Sequence, residues 1–243
     1  MTDLKKIYEG KSKIVYATPN DEEYVIQFKD DLTAFNALKK GSFSGKGDLS
    51  QKIATLIYSE LSEKKIKHHL IGPMPAEDGK GLWKVKKLEM IALEVVVRNR
   101  AAGSLVKRLG LKEGTVLKKP LVEFYYKSDA LQDPFISDDQ AMMLGIVDEN
   151  QIAQLKAEAL KLNSVLTSLF DRSGLLLADF KVEYGFDMKK EICLGDDLTP
   201  DCFRAWDKVT MEKYDKDRFR FDLGDVKEGY LKIYEQLMQG RGK

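Results

Sequence analysis

Apolar residues recur at Ile152, Leu155, Ala159, Leu162, Leu166 and Leu169, the spacing of one helix face, and predict a helix over 149–171 with Gly174 as its stop. A second helix follows the glycine-rich 41–47 loop, with Asp48 as its cap and Ile53, Leu56, Ile57 and Leu61 on one side. Residues 225–238 read as a last amphipathic helix, and 104–109 as a short one ended by Gly110. The remaining pattern is that of strands. Segments 13–18 and 24–29, rich in Val, Ile, Tyr and Phe, flank the turn cluster Pro19-Asn20-Asp21 and predict an opening antiparallel hairpin covered by the 48–61 helix. Residues 82–98 return to strand with a break near Ala92, and 175–186 and 191–194 are strands around a turn at 187–190. Strands and helices mix without a regular βαβ alternation, so the fold class is α+β.

Composition narrows the class of function. The 243 residues are 43% hydrophobic and 33% charged, with 40 Lys+Arg against 39 Asp+Glu, a foldable and nearly neutral chain. At this length roughly 70–75% of the unfolded surface can be buried, enough for one core or two small lobes without staples. No repeat or linker divides the chain, so any second domain packs closely on the first. A net charge of +1 gives no field to hold nucleic acid or an acidic membrane. Apolar runs such as 175–178 fall far short of the ~18–20 residues that span a bilayer, and residues 1–11 are charged where a signal peptide needs an apolar stretch. A cytoplasmic location is therefore expected, with Cys193 and Cys202 as free thiols. His68 and His69 are adjacent, diverge on any element and lack a partner at metal-ligand spacing, so both are expected at the surface or in caps.

Candidate chemistry gathers in the second half. Along 175–186 the period of two puts Asp179, Lys181 and Glu183 on one face and Phe180, Val182 and Tyr184 on the other. Such charges form either a solvated ion-paired face or the wall of a polar cleft. The apolar run 175–178 brings the strand out of a buried position and favours the cleft. Gly195-Asp196-Asp197 and Thr199-Pro200-Asp201 follow, with Arg204 close behind. If 191–194 pairs with the preceding strand, Asp196 reaches the Glu183 end, and two hard oxygen ligands with room for water and phosphate suit Mg2+. The bland alternative is an Asp-rich turn. Gly10-Lys11-Ser12 looks like the tail of a phosphate-binding loop, but the required first glycine would fall at Lys5. The segment is either a glycine-initiated strand whose Lys11 and Lys13 cover phosphates or a charged hairpin edge. Arg98-Asn-Arg-Ala-Ala-Gly-Ser104 joins a strand to a helix start, as an anion site or a capped turn.

Taken in order, YEGKSKIVY, VVRNRAAGSLVKRLG, KSDALQDP, LADFKVEYG, GDDLTPDCFRAWD and DKDRFR closely resemble the SAICAR synthetase family of purine synthesis. The resemblance implies an ATP-grasp-related fold, with a small β-rich ATP-covering lobe (1–88) packed on a larger α+β part (89–243). It implies the joining of 5-aminoimidazole-4-carboxy ribonucleotide (CAIR) to L-aspartate, with ATP converted to ADP and phosphate through an acyl phosphate, in a homodimer. By the same resemblance Gly10, Lys11, Ser12, Lys13 and Val15 attend ATP, and Leu88 and Met90 hold its adenine. Arg98, Ser104 and Arg204 hold the CAIR phosphate, Asp179 and Lys181 serve its base and reacting carboxylate, and Glu183 and Asp196 bind Mg2+. Two stretches depart from the family pattern: Asp48-Leu-Ser-Gln-Lys52 stands where Asn-Asn-Lys is common, and Gln132 precedes Asp133-Pro134 where His is common. A small-molecule kinase would share the ATP and Mg2+ chemistry, although no HRD or DFG is present. A non-enzymatic anion-binding module using Arg98, Arg100, Lys107 and Arg108 would bind RNA or DNA without turning over ATP.

Overall fold

The computed structural model describes residues 4–35, 38–77 and 80–241. Strands β1 (Lys6–Glu9), β2 (Lys13–Ala17) and β3 (Glu23–Phe28) open the chain. The β2–β3 hairpin is the expected one, paired Tyr16 to Val25, and the Asn20 side chain accepts from the Glu22 amide inside its turn. β1 adds an edge strand that its exposed, charged sequence did not announce. A two-stranded ribbon, β4 (Asp31–Ala34) and β5 (Lys39–Ser42), precedes helix α1 (Lys46–Glu63). β6 (Leu70–Glu77) and β7 (Lys80–Lys86) then complete a five-stranded antiparallel sheet in the order β1-β2-β3-β7-β6. α1 covers this sheet as expected, burying Ile53, Ile57, Tyr58 and Leu61 with Phe28, Trp83 and Val85. The helix starts two residues before Asp48, because the Asp30 carboxylate accepts from the amides of Gly45 (3.2 Å) and Gly47 (2.8 Å) and supplies the cap from outside. A Cβ on Gly47 would stand 2.5 Å from the Phe28 carbonyl, so only glycine admits that approach. Asp48 is left in the first turn, paired with Lys52.

The chain leaves the first sheet at 87–88, not at Ala92, which lies inside β8 (Glu89–Arg100). The stretch Lys84-Val-Lys-Lys-Leu-Glu89 is charged but holds no Gly or Pro, so local turn signals do not mark the change of sheet. After α2 (Ser104–Leu109), β9 (Val116–Tyr126) and β10 (Phe135–Ile136) build one wing of a second sheet. α3 (Asp138–Met143) leads to α4 (Glu149–Arg172), whose cap is a reciprocal Asp148–Gln151 pair and whose stop is Gly174 at φ 75°. β11 (Leu175–Phe186) is the central strand: it pairs with β8 on one side and with β12 (Ile192–Leu194) and β13 (Phe203–Asp207) on the other. α5 (Asp217–Arg220) and α6 (Val226–Gly240) close the chain, α6 packing on α1 and α4. One continuous apolar core joins both sheets through these three helices. No helix of the described residues is long and apolar enough to cross a membrane.

Candidate active site

Between the two sheets lies a cavity of about 1050 Å³. The β1–β2 segment contributes Gly10, Lys11, Ser12, Lys13 and Val15, the crossing between sheets contributes Leu88 and Met90, and β11 and the loop after β12 contribute Lys181, Glu183 and Asp196. The structure thus brings to one cavity the residues that the family resemblance assigns to ATP and Mg2+. Leu88 and Met90 lie against two glycines: a Cβ on Gly185 or Gly195 would stand 2.9 Å from a Leu88 side-chain atom.

The charges at the far end alternate. Lys127 pairs with Glu183; Lys181 pairs with Glu183 (3.1 Å) and Asp196 (3.1 Å), with Glu94 at 3.4 Å; Lys13 pairs with both Asp196 and Asp197. Burial alone would lower the pKa of Lys13, but Asp196, Asp197 and Glu183 outweigh it and hold the ammonium above its usual range. Lys181 behaves in the same way, with Asp196 and Glu183 overcoming its desolvation. Burial would raise Asp196, yet Lys13 and Lys181 hold it well below the usual carboxylate range. Burial raises Asp197 despite Lys13. The Tyr58 hydroxyl, from α1, donates to the Asp196 carbonyl and ties this loop to the helix. Lys11 sits at the rim, 3.5 Å from Asp129, and does not follow Lys13 inward.

A second cavity of about 620 Å³ adjoins the first, and Glu94, Lys181 and Cys202 line both. Asp179, opposite Arg98 on β8, sits between two guanidinium groups: Arg98 Nη1 at 2.7 Å and Arg204 Nη1 at 2.9 Å. Arg98 is 3% exposed, and its five N–H groups go to Glu123, Asp179, the Ala102 carbonyl, Ser104 Oγ and Tyr125 OH. It therefore orients Ser104 and Asp179 from behind and has no N–H to spare. Arg204 points Nε at Asp217 (2.9 Å) and turns Nη2 toward Gly103. Burial opposes its charge, but Asp179 and Asp217 more than compensate and raise its pKa. Glu123, Tyr125, Lys127 and Asp217 escaped the sequence reading. Glu123 and Tyr125 meet the site through the pairing of β9 with β8, Lys127 follows directly after β9, and Asp217 reaches it from α5 by its ion pair with Arg204.

Cys193 and Cys202 are free, as expected, and burial pushes their thiols up to about 11 and about 12. The surface reading of the histidines is corrected. His69 is 3% exposed and lines the larger cavity, while His68 is half-buried and bonds Ser62 Oγ through Nε2. The segment before β6 is drawn under the sheet by bridging Leu194 of β12, a pairing too distant in sequence to read locally.

No group of three or more His, Cys, Asp or Glu among the described residues forms a metal cage. Glu183 and Asp196 nevertheless fit Mg2+: they are buried hard-oxygen donors facing the cavity, and Mg2+ takes one or two carboxylates and completes its shell with water and phosphate.

A two-sheet α+β fold whose cleft has glycine and lysine on one wall, carboxylates on the other and an arginine-walled pocket alongside has the chemistry of an enzyme that uses a nucleotide. The SAICAR synthetase model matches residues 6–237, and the chain belongs to that family of ATP-dependent ligases in purine biosynthesis. Phosphoribosylaminoimidazole-succinocarboxamide synthase of Nautilia profundicola is 49% identical over 96% of this chain and 98% of its own. The Campylobacter jejuni enzyme of the same name is 47% identical over 98% and 100%. Among solved structures, the Ehrlichia chaffeensis synthase superposes with a TM-score of 0.91 at 39% identity, covering 97% of this chain and 99% of that one. A SAICAR synthetase in complex with ADP gives 0.89 at 44%, covering 96% and 97%. The expected fold class and ligase activity are thereby established, and the kinase alternative gives way to the ligase.

Proposed function

We propose that this chain joins CAIR to L-aspartate at the expense of ATP, through an acyl phosphate. ATP occupies the larger cavity, with its phosphates toward Lys13 and its base against Val15, Leu88 and Met90; the ADP complex of a 44% identical relative supports the use of this nucleotide. CAIR occupies the smaller cavity, its phosphate toward Ser104 and Arg204 and its carboxylate toward Lys181. The single observation that carries this reading is Lys181, an ammonium that lines both cavities. A CAIR carboxylate oxygen beside it attacks the γ-phosphorus and ADP leaves. The uncharged aspartate amine then attacks the acyl carbon, phosphate departs, and the amine's extra proton passes to solvent. Lys181 offsets charge on the transferring group, and Asp179 keeps both arginines aligned. Mg2+, held by Glu183 and Asp196, would neutralise phosphate charge. Residues 1–88 form the nucleotide-covering part and 89–243 the rest, a division supported by the change of sheet at 87–88. Homodimerisation and a cytoplasmic location complete the reading by family resemblance. A coupled ADP assay tests it: ADP release is expected to need CAIR, L-aspartate, ATP and Mg2+ together, and rapid release with aspartate omitted would overturn it.

A further inference from the structure

His69 is a buried imidazole that the reaction above leaves without a role. Its amide donates to the Leu194 carbonyl (2.9 Å) and its carbonyl accepts from the Lys86 amide (2.8 Å). The residue is thus stapled between β12 and the end of β7, just before the crossing that carries Leu88. The residue lines the larger cavity, its Nε2 is enclosed, and no hydrogen bond reaches either ring nitrogen among the described residues. The rings beside it, Tyr58 at 6.2 Å and the perpendicular Trp83 at 6.4 Å between centroids, supply apolar packing. Buried polar groups are almost always paired, so a wall histidine without a partner points to a missing one. Burial, aided by the nearby Lys13 charge, pushes its pKa down to about 3, so the ring stays neutral and keeps one N–H and one lone pair. The group facing this wall at Leu88 and Met90 is the nucleobase, which carries both amine donors and ring-nitrogen acceptors along its edges.

We propose that His69 is a specificity-determining residue that reads the purine base by a hydrogen bond. The inference rests on the placement of ATP given above. Phe in its place would keep the packing and lose the hydrogen bond, whereas Gln would keep both donor and acceptor.

The test is a cycle of protein and ligand deletions. ADP, purine riboside 5′-diphosphate (no exocyclic amine) and 7-deaza-ADP (no N7 acceptor) are titrated by calorimetry into the wild type, His69→Phe and His69→Gln. The wild type is expected to bind ADP about tenfold more tightly than one of the two analogues. His69→Phe should bind those two ligands equally, and His69→Gln should restore most of the preference. In turnover, the KM for ATP should rise in His69→Phe with kcat little changed. Independent, multiplicative losses for both analogues would overturn the proposal. The placement is checked separately by NOEs from ADP protons to labelled methyls of Val15 and Leu88. Absent NOEs overturn placement and inference together, while NOEs without coupling overturn the role of His69 alone.

Discussion

Gly103 is held at φ 56°, and a Cβ there would stand 2.6 Å from Arg204 Nη2. Gly103→Ala is therefore expected to push the guanidinium out of line with Ser104 and raise the KM for CAIR about tenfold, with the KM for ATP unchanged; steady-state kinetics in each substrate measures this. The sequence leaves Arg98 to Ser104 as an anion site or a capped turn, and the family resemblance adds Arg204 to the first reading. Neither shows that Arg98 is spent on Glu123 and Tyr125, because nothing local marks two β9 residues as its partners. His69 carries a second consequence. Its folded pKa lies below the unfolded value near 6.5, so the unfolded chain binds the extra proton and stability is lost as pH falls through the window from 6.5 toward about 3. At pH 5 this group should cost about 2 kcal/mol relative to pH 7. Urea unfolding of wild type and His69→Gln at both pH values checks it: the variant should lose that much less on acidification.

Elements were legible where their signals are local. α4 carries its cap, its apolar stripe and its stop within one stretch, and the expected 149–171 matches Glu149–Arg172 at the start and falls one residue short at the end. The charged face of β11 is legible because alternation holds from Asp179 to Glu183, between the irregularity at 177–179 and the bulge after Glu183. α1 begins early because its cap comes from Asp30, and the β7–β8 crossing carries no Gly or Pro that would mark it locally, so only the family resemblance put a boundary at residue 88. α1 also acts at a distance. Its Tyr58 hydroxyl holds the Asp196 carbonyl, and burial raises its pKa well above the usual tyrosine value, so it stays a donor. Tyr58→Phe should leave the helix in place while costing about 1–3 kcal/mol through the unpaired carbonyl, read as a lower urea midpoint at unchanged helicity.

At the scale of the whole molecule, two sheets share one core but meet across the cleft through charges. Lys13 comes from the first sheet, while Asp196 and Asp197 follow the second sheet's β12. Removing Lys13 leaves Asp197, 4% exposed, with a buried carboxyl facing Asp196. Lys13→Met and Asp197→Asn should each destabilise the protein, but the double variant should lose less than the two losses added, by about 0.5–3 kcal/mol in a double-mutant cycle of chemical unfolding. The same row of charges, Lys127, Glu183, Lys181, Asp196, Lys13 and Asp197, bears on how such a chain diverges through time. Each interior member touches two neighbours of opposite sign, so a lone replacement strands both, and the row should resist change as a unit while the exposed strand β1 changes one residue at a time.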